Sequence, residues 1–102
     1  MSLPKNYREF RIELDAPQPP PLWPESLKAL WWDARGNWEN AHAIAQDIQS
    51  EAGFRIHAYL HRKEGDDWNA GYWYERAKTN FPGGTLEEEL EELVKWVLEG
   101  SF

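Results

Sequence analysis

One pattern narrows the possible folds more than any other. Residues 57–77, HAYLHRKEGDDWNAGYWYERA, read as a helix, a tight glycine turn and a second helix. A weaker echo, KALWWDARGNWENAHAIAQDI, lies 29 residues earlier at 28–48. Sliding the chain by that offset superposes Ala29 on Ala58, Gly36 on Gly65 and Asn40-Ala41 on Asn69-Ala70. These are the identities that packing demands. Small alanines let two helices approach closely, and each glycine closes the turn between them.

The elements follow from periodicity and punctuation. A helix is predicted from Pro24, with Leu27, Leu30, Trp31 and Ala34 on one stripe. Gly36 ends it, Asn37 caps the next, and Trp38, Ala41, Ala45 and Ile48 form that second buried face. Ser50 to Gly53 reads as a turn before a third helix from about Phe54 to Glu64, with Ile56, Tyr59 and Leu60 inward. Asp66 or Asp67 caps a fourth, whose stripe is Ala70, Trp73, Tyr74 and Ala77. After the breaker Phe81-Pro82-Gly83-Gly84, Thr85 and Glu88 form a capping box. The last helix carries Leu86, Leu90, Leu93, Val94, Val97 and Leu98, with Glu87, Glu88, Glu89, Glu91 and Glu92 expected in water.

Ahead of these helices the pattern changes. Phe10, Ile12 and Leu14 alternate with Arg11 and Glu13, which predicts an extended arm lying on the helical body. Five of the seven prolines then fall between Pro17 and Pro24, predicting a stiff polyproline-II linker. The expected organisation is an arm and linker over 1–22 and a single helical domain over 23–102.

GDDWNAGYWYERA resembles the second half of a tetratricopeptide-type repeat: Gly65, Ala70, Tyr74 and Ala77 match its turn, small, aromatic and alanine positions, and Pro82 its closing proline. The first unit departs from that pattern at Ala45 and Ile48, and the 29-residue offset is shorter than the usual 34. HAYLHRKEGD and YWY are also similar to a small uncharacterised bacterial protein family, which implies no activity. The repeat resemblance spans roughly residues 25–82. It implies an all-α fold of two antiparallel helical hairpins with the last helix as a cap. It also places the third helix on a concave, ligand-facing side. Arg55, Tyr59, Arg62 and Lys63 would then make a basic-aromatic patch for a carboxylate or peptide, with Trp32 beside it. Trp31, Trp38, Trp73 and Tyr74 belong to the core, whereas Trp32, Tyr72 and Trp96 lie off the stripes and suit a partner or a homodimer.

Composition removes several classes. With 18 acidic against 11 basic residues the net charge is -7, which argues against nucleic acid or an anionic membrane surface as partner. The chain has no cysteine, so disulfides, thiolate zinc sites and cysteine nucleophiles are excluded. No stretch approaches the apolar length of a membrane span, and MSLPKNYREF lacks a signal-peptide core, so a cytoplasmic protein is expected. No phosphate loop or serine nucleophile elbow is present, and no cofactor is called for.

The sharpest chemical pattern is His57, His61 and Glu64, at i, i+4 and i+7 on one helix side. An H-x-x-x-H pair with a carboxylate one turn on can ligate a metal or move protons. Ala58 stands where a zincin would carry its glutamate. The plainer alternative is two histidines hydrogen-bonded at the core edge. His42 has no partner predictable from spacing. The expectation is therefore a non-enzymatic protein- or peptide-interaction module, the alternative a small metal- or His-dependent enzyme built on His57, His61 and Glu64.

Overall fold

The computed structural model describes residues 3–102, and all regular structure among them is helical. The order is α1 (Tyr7–Ile12), a 3-10 turn (Glu13–Asp15), α2 (Glu25–Ala34), α3 (Trp38–Ala45), α4 (Glu51–Lys63), α5 (Asp67–Arg76) and α6 (Leu86–Leu98). No helix is long and apolar enough to cross a membrane among the described residues.

The two glycine turns are the same structure built twice. Gly36 and Gly65 take φ of 85° and 88°, a left-handed conformation that a Cβ disfavours. The Asn37 N–H donates to the Trp32 carbonyl, and the Asp66 N–H donates to that of His61, each at 2.9 Å. Gly36 and Gly65 donate to Asp33 and Arg62 in the same way, completing two Schellman ends. Each following residue then caps the next helix: Asn37 Oδ1 accepts from the Asn40 N–H and Asp66 Oδ1 from the Asn69 N–H. α2 packs on α3 and α4 on α5 across these turns. The Thr85–Glu88 capping box opens α6.

Three expectations are corrected. The N-terminal run is helical, not extended: Asn6 Oδ1 caps α1 by accepting from the Glu9 N–H at 2.9 Å. Tyr7, Phe10 and Leu14 pack inward at helical spacing, with Leu3 joining them from the segment before the cap, while Ile12 is 62% exposed. The apparent alternation therefore included one residue that faces water. Next, Ser50 is an N-cap and Gly53 lies inside α4, so that helix begins three residues before Phe54. Third, Glu89 does not face water; it is 2% exposed. It accepts hydrogen bonds from Tyr74 Oη at 2.5 Å and Arg62 Nη1 at 2.8 Å, tying α6 to α4 and α5.

The main core lies where α2, α4 and α6 meet, with Leu27, Leu30, Trp31, Ile56, Leu60 and Leu93 buried. Phe10 and Trp23 belong to the same core and stack at 5.9 Å, so the N-terminal segment shares the interior of the helical body. Trp31 Nε1 donates to the Glu13 carbonyl, and Arg35 donates to the carbonyls of Leu14 and Ala16. A smaller cluster of Ala58, Ala70 and Tyr74 joins α4 to α5.

Candidate functional site

All three histidines of the chain converge at one place. His57 and His61 project from α4 one turn apart, and His42 reaches them from α3. His42 Nε2 and His57 Nε2 are 3.0 Å apart, and one ring nitrogen from each of the three lies within 4.8 Å of the others. His57 and His61 are each 7% exposed, and His42 is half-buried.

Two indoles and one glycine hold this arrangement. Trp38, one turn before His42, donates from Nε1 to the Leu60 carbonyl at 2.7 Å, fastening α3 to α4. Its ring stacks on His42 with centroids 4.8 Å apart. Trp73 of α5 stacks on His57 at 4.2 Å. Gly53 lets the chain leaving α3 press onto the first turn of α4: a Cβ there would lie 2.0 Å from the Ile48 carbonyl oxygen. The approach of α3 to α4 that joins His42 to His57 thus depends on a missing side chain.

Burial disfavours positive charge in the cluster. It is the main cause pushing the His57 imidazole down to about 4, and His42 and His61 beside it add to the shift. His42 is lowered as well, by burial first and by His61 next, with Glu64 opposing. At neutral pH His42 and His57 are therefore neutral, the form that ligates metals. Glu64 Oε1 sits 2.8 Å from His61 Nδ1. With the proton on Nδ1, the Nε2 lone pair of His61 is left for a ligand, the orienting role that carboxylates play behind metal-bound histidines.

Of the three residues expected to form a site, His57 and His61 do meet, whereas Glu64 stands behind His61, where it also lies near Asp66. The third member of the cluster is His42. In the repeat register His42 aligns with Gly71, so the internal repeat gives no sign of it.

The residues expected to form a ligand patch make contacts within the protein, Tyr59 buried and Lys63 at the surface. Tyr59 is 1% exposed and donates from Oη to Asp33 Oδ2 at 2.8 Å. Lys63 Nζ meets the other oxygen of the same buried Asp33 at 2.9 Å. Arg62 pairs with Glu89 and also donates to the Gly84 carbonyl. Arg55 lies over the Trp96 ring at 4.6 Å, and Trp32 is part-buried, edge-on to Trp31. Tyr72 is 48% exposed, and the most exposed aromatic is Trp68, at 84%.

No protein-family model, curated protein or solved structure matches this chain. The functional reading therefore stands on the site itself.

Proposed function

We propose that the chain is a small helical metal-binding domain, with His42, His57 and His61 as ligands for a divalent transition ion of the zinc, nickel or copper type. The observation that carries this reading is the convergence of three imidazoles, two of them buried and the third half-buried. In a tetrahedral zinc site with bonds of about 2.05 Å, ligand nitrogens stand about 3.3 Å from one another. His42 and His57 are at 3.0 Å. Drawing all three to that spacing asks for side-chain adjustment of 1–2 Å at most, on the order of a rotamer's swing. Imidazole donors suit zinc, copper and nickel rather than calcium or magnesium.

A second reading, a protein- or peptide-interaction module or a homodimer, is favoured by one observation. Trp68 and Tyr72 lie one turn apart on α5 and are both exposed. Large aromatics on one helix face are the residues that anchor interfaces. In this reading α2–α3 and α4–α5 act as two tetratricopeptide-like hairpins capped by α6, and no cofactor is required.

Native mass spectrometry of protein purified without chelator, followed by calorimetric titration with Zn(II), Ni(II) and Cu(II), separates the two. Metal binding predicts one ion per chain, and a gain of about 3 kcal/mol in stability at a hundredfold excess of ion over Kd. His42→Ala and His61→Ala should each weaken binding tenfold or more, roughly the cost of one lost ligand or its support. A dimer or retained peptide, with no heat from Zn(II), Ni(II) or Cu(II), would favour the second reading and refute the first.

A further inference from the structure

The histidine cluster is incomplete as a four-coordinate site, and incomplete in a way that has chemical content. Among the described residues no fourth histidine, cysteine, aspartate or glutamate joins His42, His57 and His61. The acid attached to the cluster, Glu64, is engaged on Nδ1 of His61, the nitrogen that does not ligate when Nε2 does. Tetrahedral zinc takes four donors, and where a protein supplies three, water supplies the last. His42 is half-buried, so the cluster meets solvent on that side, while the indoles of Trp38 and Trp73 stack on His42 and His57.

We propose that a zinc-class ion held by His42, His57 and His61 keeps an exchangeable water in its fourth position and acts as a Lewis acid that hydrolyses small carboxylic esters. This rests on the metal-binding reading above and adds a reactive position to it. Three neutral donors leave the full dipositive charge on the complex, the condition that best favours hydroxide on the metal near neutral pH. The hydroxide oxygen adds to the ester carbonyl carbon and forms the new C–O bond. As the tetrahedral adduct collapses, the bond to the leaving alkoxide or phenoxide breaks with its electron pair. The carboxylic acid product gives up its proton, the alkoxide or phenoxide takes one up from solvent, and a fresh water enters the position and loses a proton to restore the hydroxide. No electron is gained or lost overall. Glu64 is a positioning residue: by holding Nδ1 of His61 it keeps the ligating nitrogen aimed at the ion. Aryl acetates are the esters such a position hydrolyses most readily, because the phenoxide departs without prior protonation.

The test uses the full chain with two ions. Co(II) protein is titrated with azide and followed by its visible spectrum; Zn(II) protein is assayed with 4-nitrophenyl acetate. The expected result is a saturable spectral change with azide. Hydrolysis should be at least about tenfold faster than for metal-free protein, rising with pH through one ionisation near 7, as zinc-bound water does. His42→Ala, at a half-buried position and checked for its fold by circular dichroism, should lose both effects. If cobalt and zinc bind one per chain but azide changes nothing, or the zinc protein is no faster than the metal-free one, the open position is refuted and the metal-binding reading stands. If calorimetry shows that neither ion binds, the open position is refuted, and the metal-binding reading falls with it when Ni(II) and Cu(II) give no heat either.

Discussion

The contact between Gly53 and Ile48 makes an unusual prediction, because helix propensity alone gives the opposite sign. Gly53 lies in the first turn of α4, and glycine in a helix is less favourable than alanine by about 1 kcal/mol. Gly53→Ala should then stabilise the protein by up to that amount. The structure argues otherwise. The added Cβ would lie 2.0 Å from the Ile48 carbonyl oxygen and 2.5 Å from Ile48 Cβ, where real contacts stay beyond 3.0 Å. Backbone must open by about 1 Å, and no flexible side-chain end is there to yield. Overpacking costs about 1–3 kcal/mol, with backbone clashes at the upper end. Subtracting the propensity gain leaves a net loss of about 2 kcal/mol, or roughly 10 °C in Tm for a domain of this size. Gly71, inside α5 with nothing within 4 Å of an added Cβ, is the internal control. Gly71→Ala should gain a few tenths to about 1 kcal/mol. Thermal melts followed by helical circular dichroism read both. The same variants should separate in zinc affinity, since opening α3 from α4 draws His42 away from His57 while Gly71 stands apart from that contact. A Gly53→Ala protein as stable as wild type, with zinc affinity intact, would refute the claim that this close approach builds the site.

Two further outcomes follow from buried charge. Glu89→Ala removes the acceptor of both Arg62 and Tyr74, so urea denaturation should show a loss of about 3 kcal/mol, the low end for breaking a buried pair because Arg62 keeps the Gly84 carbonyl. Glu92→Ala, an exposed site on the same helix, should stay within about 0.5 kcal/mol of wild type. In metal-free protein, His57 is held neutral down to about 4 in the fold but takes a proton near 6.5 when unfolded. The unfolded state therefore binds more protons between those values, and stability should fall as pH drops through that window. The ceiling is about 3 kcal/mol, at about 1.4 kcal/mol per pH unit. His42, His61 and the Trp73 ring are the groups that face it. His57→Gln removes this proton uptake, so its stability should vary less with pH across that interval; parallel curves for the two proteins would refute the assignment.

What the amino-acid order determines by itself is short-range. The turns at Gly36 and Gly65, the caps at Asn37 and Asp66 and the Thr85–Glu88 box each depend on atoms within about five residues, so residue type and spacing suffice to read them. The stripes of α2, α4 and α6 are legible for the same reason. The N-terminal segment misled because three apolar residues at alternate positions fit a strand, while the helically spaced set Tyr7, Phe10 and Leu14 is apparent only once a core exists to receive it.

The site was half legible. His57 and His61 share one helix, and their relation is fixed by the helical period; His42 comes from another helix, 15 residues away in the chain. Glu89 and Arg62, 27 residues apart, read separately as a solvated acid and a ligand-binding base until the fold pairs them with each other. Tyr59 and Lys63 likewise find Asp33 across 26 and 30 residues. No periodicity encodes such pairings, because they depend on the angle and depth at which one helix crosses another. At the histidine cluster that depth depends on a glycine whose importance lies in the absence of a side chain. Local sequence decided where the helices are; their packing against one another decided that three imidazoles would meet.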